Sequence, residues 1–258
     1  MVRTDLSAGL VALMAILAGP GEALARQTIC QPFVDQLEEL DGERWLISEG
    51  WSNGGMFNAG WSKDNVRREG RGIALVLDDQ PSSGRPFRAA EIQSRGFAGY
   101  GRFDVRMKPA RGIGTVSSFF VYTGPHHGDP MDELDIEFLG KDTTRMQVNY
   151  FTNGKGGKET MIELGFDAAD SFNDYAIEWR PDAIRWFVNG RQVHEERGAR
   201  GPLPVMPGKI IANIWNGTGV DRWLGRFEYP GEPLKALYEW ISYTPFESNQ
   251  ACGEKTKK

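Results

Sequence analysis

Cysteine is scarce in this chain. Cys30 and Cys252 are the only two in 258 residues, which excludes a disulfide-dense scaffold and a cysteine-built metal site. His126 and His127 have only His194 besides them, which gives no zinc constellation. No long run of lysine or arginine marks a nucleic-acid surface, and the net charge is −5. The one locally basic stretch, KDNVRREGR at 63–71, reads as a solvated loop.

Long apolar runs are missing beyond the N-terminus. There, Arg3 precedes LVALMAILAG at 10–19, and ALA at 23–25 stands before Arg26, the pattern of a secretory signal. A membrane anchor competes as a reading, but the run is shorter than the roughly 20 residues needed to cross a bilayer. The expectation is an exported protein, periplasmic or extracellular, with no membrane attachment after removal of residues 1–25. Residues 26–258 suit a single domain, and a monomer is the default. In an oxidising compartment Cys30 and Cys252 either bridge or remain free thiols. A bridge closing so long a loop is worth about 5 kcal/mol in the chain-entropy model.

Helical periodicity is also scarce. After the signal it is confined to Phe33, Leu37 and Leu40, in a segment that could equally be extended. Alternation with a period of two is common instead. RFDVRMK at 102–108 sets Phe103, Val105 and Met107 against Arg102, Asp104, Arg106 and Lys108. Further strands are expected at 115–123, 133–139, 145–151, 174–180, 209–216 and 236–243. Asn189-Gly190 between AIRWFV and RQVHEE predicts a hairpin with a type I′ turn. Many short strands and scarce helix point to an all-β, antiparallel sandwich.

The segment MDELDIEFLG at 131–140 concentrates the chemistry. On a strand Glu133, Asp135 and Glu137 share one face, while Leu134, Ile136 and Phe138 share the other. Like charges so crowded repel, so the trio requires cations or a chemical role. Two carboxyl groups flanking one bond are the equipment of glycoside hydrolysis. A hard-cation site and an acidic solvated face are the other readings. Residues four apart on a strand are separated by about 13 Å at Cα, so a retaining pair, with carboxyls about 5–5.5 Å apart, needs side-chain lean and sheet curvature.

These residues, with WSNGGMFN, MKPARGIGTVSSFFVYTGPHHG, NYFTNGKGG, NIWNGTGVDRWLG and EWISYT, resemble glycoside hydrolase family 16 over nearly the whole mature chain. Within that family the resemblance is to the bacterial lichenases, which are endo-β-1,3-1,4-glucanases. It implies a curved jelly roll with an open concave cleft and a polysaccharide substrate. Glu133 is implied as nucleophile, Glu137 as general acid/base and Asp135 as assisting carboxylate, on a strand without a bulge. Trp51, Asn53, Phe57, Glu91, Phe120, Tyr122, Asn149, Phe151, Asn213, Trp215 and Trp223 fall on or beside substrate positions. His127 matches a histidine close to the acid/base. A structural Ca²⁺ is implied with Glu239 as its acidic ligand, where the family usually has Asp; no cofactor is required for catalysis.

The chain departs from the lichenase pattern at Met131 and Gln93, in place of a Trp and an Arg, and at Trp51 and Phe151, in place of tyrosines. Ala59 and Ala89 stand where lichenases have a disulfide. All four departures at substrate positions bear on which glycan is cut. A mixed-linkage β-glucan is one expectation and a bacterial exopolysaccharide such as succinoglycan another. A glycan-binding jelly roll without activity is the alternative from a different class. Trp45, Trp61, Trp179, Trp186 and Trp240 read as core.

Overall fold

The structure is a computed structural model that describes residues 26–247 and Cys252. The signal expected at 1–25 lies outside the described residues. In chain order the strands are β1 (Phe33–Asp35), β2 (Trp45–Ile47), β3 (Ala59–Trp61), β4 (Val66–Glu69), β5 (Gly72–Leu77), β6 (Phe87–Ser94), β7 (Gly101–Lys108) and β8 (Thr115–Thr123). The second half adds β9 (Asp132–Leu139), β10 (Arg145–Phe151), β11 (Thr160–Glu163), β12 (Asn173–Arg180), β13 (Ala183–Val188), β14 (Arg191–Glu196), β15 (Lys209–Asn216) and β16 (Leu234–Pro245).

They form two open sheets. One runs β14-β13-β12-β7-β16-β5-β4, with β1 on β16. The other runs β11-β10-β9-β8-β15-β6-β2, with β3 joining β6 in the one parallel pairing among these strands. The chain is thus an antiparallel jelly-roll sandwich. Each expected strand is present within two residues of its expected ends. Asn189 (φ 49°) and Gly190 (φ 79°) supply the two positive φ angles of the β13–β14 turn.

One reading changes, and one left open is decided. Residues 63–71 are not a loop: Lys63–Asn65 form a 3-10 turn and Val66–Glu69 pair with β5 as an edge strand. An edge strand with little buried surface can be polar on both faces, which hides it from a periodicity search. Phe33, Leu37 and Leu40 lie on no helix. Phe33–Asp35 pair with β16, and the Asp35 side chain accepts from the amide of Leu37, which adopts φ 56°.

The core lies between the sheets. Trp45, Trp61, Trp179 and Trp186 are fully buried there, whereas Trp240 is only half-buried beside a bulge in β16. Leu134, Ile136 and Phe138 are at most 1% exposed. Each contributes roughly 1.5–3 kcal/mol by burial. A one-residue slip of β9 would exchange these side chains for carboxylates, so the apolar face fixes where the acids point. Cys30 and Cys252 are disulfide-bonded, with their Cα atoms 5.4 Å apart.

Candidate active site

β9 is central in its sheet, with β8 and β10 paired on either side and no break in register. The unbroken ladder places each carboxylate in its own row. Glu133 is flanked by Tyr122 and Phe151, and Tyr122 is followed by Lys209. Asp135 lies between Phe120 and Asn149, with Ile211 and Gln93 beyond Phe120. Glu137 lies between Ser118 and Gln147, with Asn213 and Glu91 beyond Ser118.

These rows floor a cleft of about 1240 Å³. Trp51, Asn53, Phe57, Glu91, Gln93, Phe120, Tyr122, Met131, Asn149, Phe151, Asn213, Trp215, Trp223 and His127 all line it with the three carboxylates. Phe57 stacks on Trp215 with ring centres 4.0 Å apart, and Trp223, on the short helix Asp221–Leu224, lies 6.0 Å from Trp215. The result is an aromatic wall suited to the apolar faces of sugar rings. Glu91 is buried and accepts from Ser48 Oγ (2.7 Å), Gln93 Nε2 (2.7 Å) and Asn213 Nδ2 (3.0 Å). Burial raises its pKa and those hydrogen bonds oppose the rise.

Sequence reasoning missed Gln147, Ser118, Lys209 and Glu159, all on the cleft wall or floor. Strand parity could have found three of them: Gln147 shares a face with Asn149, Ser118 with Phe120, and Lys209 with Asn213. Gln147 links the site internally. Its Nε2 donates to Glu137 Oε2 at 2.6 Å, while its Oε1 accepts from Trp223 Nε1 at 3.0 Å. Glu159 accepts from Asn149 Nδ2 at 3.4 Å and comes from a loop, where no pattern marks it.

Asp135 is buried and Glu133 and Glu137 are half-buried on the cleft floor, and no Lys or Arg among the described residues forms an ion pair with any of them. Burial pushes Glu137 up to about 7, opposed by the Gln147 hydrogen bond and aided by the charge of Glu159. Burial and the charge of Glu137 push Glu133 up to about 8. Asp135 is raised well above its usual range by burial and by both glutamates. The hydrogen bond between Asp135 and Glu133 raises the former and lowers the latter, so in it Asp135 donates and Glu133 accepts. The three titrate as one cluster that retains protons at neutral pH.

His127 is half-buried against Phe97 (ring centres 5.2 Å) and Tyr122 (6.2 Å). Tyr122 pairs with Glu133, so the imidazole stands at the Glu133 end, and the groups that shift Glu137 do not include it. Glu239 Oε2 accepts from Arg106 Nε at 2.7 Å, and Arg106 Nη1 bonds Asp174 at 2.8 Å. A guanidinium already answers this carboxylate. Glu239 therefore does not fit the role of calcium ligand.

Residues 53–240 match the glycosyl hydrolases family 16. The chain belongs to this family. The hydrolase is 49% identical over 220 residues to a β-glucanase of Brevibacillus brevis, covering 84% of this chain and 83% of that protein. The solved β-glucanase of Bacillus licheniformis superposes with a TM-score of 0.79 at 45% identity, covering 84% of the hydrolase and 99% of that chain. A solved β-1,3-1,4-glucanase (lichenase) from a mouse hindgut metagenome gives 0.79 and 45%, covering 84% and 100%.

Proposed function

We propose that this glycoside hydrolase is a retaining endo-β-glucanase that cuts β-1,4 bonds in mixed-linkage β-1,3-1,4-glucan. The relatives named as β-glucanases support the polymer class. The observation that carries the reading is the trio of carboxyls on one face of β9, lining a cleft, with no cation paired to them among the described residues.

Glu137, protonated through burial, gives its proton to the glycosidic oxygen as the bond to C1 breaks. Glu133, in the state of the cluster in which Asp135 and Glu137 carry the protons, attacks C1 as a carboxylate and forms the glycosyl-enzyme ester. Glu137, now a carboxylate, takes a proton from water, whose oxygen attacks C1 and releases Glu133. Both carboxyls return to their starting states. Phe57, Trp215 and Trp223 hold sugar faces, and Asn149 Oδ1, buried without a hydrogen-bond partner, offers an acceptor to a hydroxyl. An open cleft, as the resemblance to the lichenases implies, admits a chain interior and accounts for endo cutting. Residues 1–25 act as the export signal, so the enzyme meets its polymer outside the cytoplasm.

The test is release of reducing ends from barley β-glucan by residues 26–258, with the anomer of the first product read by NMR. Glu133→Gln and Glu137→Gln should each lower kcat by roughly 10²–10⁴-fold. Initial release of the β-anomer is expected. An inverted product, or activity retained in both variants, would remove the assignment. Binding without cleavage by the parent would favour a glycan-binding role instead.

A further inference from the structure

Glu133 stands where its strand is least held. The β9–β10 ladder ends at the Glu133–Phe151 row, and the β8–β9 ladder ends one row later at Thr123–Asp132. A strand end frays unless something ties it down. Here the tie is Asp132, the residue before Glu133. Its side chain shares the core face of β9 with Leu134 and Ile136 and is 4% exposed, a place where a carboxylate is costly unless hydrogen bonds answer it. Backbone amides answer it: Oδ1 accepts from Asn153 at 2.9 Å, and Oδ2 accepts from Val205 at 2.8 Å and Met206 at 3.0 Å.

Those amides belong to two loops. Asn153 (φ 49°) and Gly154 (φ 74°) make the turn after β10, and the amide of Gly154 donates to the carbonyl of Met131 at 2.8 Å. Residues 202–207 include three prolines, so only Leu203, Val205 and Met206 there have an N–H, and Asp132 takes two of the three. Thr152 Oγ1 donates to the carbonyl of Pro202 at 2.7 Å, and Trp179, from the other sheet, donates through Nε1 to that of Pro204 at 3.1 Å. One carboxylate thereby gathers the start of β9, the turn after β10 and the proline-rich loop into a single junction. Met131 and Phe151, which line the cleft with Glu133, leave from that junction. An asparagine could not replace it, because its amide has one acceptor oxygen and would turn its own N–H groups toward other donors.

We infer that Asp132 is a positioning residue for Glu133: it clamps the end of β9 so that the nucleophile keeps its attacking distance from C1. The inference rests on the reading of Glu133 as nucleophile. Attack tolerates little play, since a displacement of about 1 Å can cost about 100-fold in rate. Asp132 itself faces away from the cleft and acts only through its neighbour.

The attack by Glu133 can be isolated with a dinitrophenyl β-laminaribioside fluorinated at C2. The bond from C1 to the aryl oxygen breaks as the bond from C1 to the Glu133 carboxylate forms, and dinitrophenolate leaves without a proton from an acid. Fluorine slows hydrolysis of the ester, so the burst of dinitrophenolate reads the nucleophile alone. Asp132→Asn should slow the saturated burst about 10- to 100-fold well below its melting temperature, with half-saturation changed less than about threefold. A lower melting temperature with an unchanged saturated burst, or a loss lying wholly in half-saturation, overturns the inference. If Asp132→Asn does not fold, Thr152→Val decides, because it loosens the same junction and leaves the carboxylate in place. A burst slowed at least about threefold in that variant sustains the clamp, and an unchanged burst overturns it. The role of Glu133 is read apart, by mass spectrometry of the labelled parent. No ester, or an ester on another carboxylate, removes the nucleophile reading and the inference with it, whereas an ester on Glu133 with an undiminished burst in Asp132→Asn removes the clamp alone.

Discussion

The indole Nε1 of Trp186, on β13, donates to the backbone carbonyl of Asp135, on β9, at 3.0 Å across the sandwich. The second sheet thereby holds the central residue of the carboxylate strand from behind. Tyr238 does the same for the neighbouring strands, its hydroxyl donating to the carbonyls of Ser118 (2.9 Å) and Asn213 (3.2 Å). Trp186→Phe removes the donor and keeps most of the ring. A loss of about 1–2 kcal/mol of stability is expected, read by urea unfolding. A fall in kcat well below the melting temperature should accompany it, because the acids lose their backing. Lower stability with unchanged kcat would reduce Trp186 to a packing role.

Gln147 tunes Glu137. Its N–H stabilises the charged carboxylate and so holds the acid's pKa down. Gln147→Met removes that donor, raises the pKa further, and keeps Glu137 protonated to higher pH. The alkaline limb of kcat/KM should move up by about half to one pH unit, the equivalent of one hydrogen bond of about 1 kcal/mol. A limb that stays in place would show that another group sets it.

Asp135 lowers stability at high pH. Its folded pKa is raised well above the ordinary value, so the native state binds more protons than the unfolded chain once pH exceeds the carboxylate range. The stability it contributes is full at low pH and is lost as pH rises through the folded pKa. Asp135→Asn keeps a donor for Glu133 and no longer ionises. Its melting temperature should exceed the parent's by roughly 2–4 °C at pH 9 for each kcal/mol released, with the difference closing towards pH 4. Activity should fall in the same variant. A melting-temperature gain as large at pH 4 as at pH 9 would rule the linkage out.

Arg106 sits where its charge serves both Glu239 and Asp174. Removing calcium with a chelator should therefore leave the melting temperature within about 1–2 °C of its starting value, a change worth well under 1 kcal/mol. Arg106→Ser should lower it, because two carboxylates then lose their partner. A chelator-induced fall that calcium restores would mean that backbone carbonyls hold an ion regardless of Glu239.

Much of this site was legible in the chain. Period-two alternation reports the pleat of a strand directly, so the common face of Glu133, Asp135 and Glu137 followed from order alone. The Asn189-Gly190 turn was legible for an equally local reason, since few dipeptides accept two positive φ angles cheaply. Edge strand β4 was not, because a strand with little to bury carries no apolar pattern.

The sequence by itself determined which side chains share a face and which residues could turn the chain, because those depend on backbone geometry within a few residues. Tertiary structure decided the neighbours. Strand pairing set Gln147 beside Glu137 and brought Arg106 to Glu239 from 133 positions away. The acidity of the buried carboxyls was likewise beyond the sequence. It comes from desolvation and from charges across strands, and these exist only once the two sheets have closed over their core.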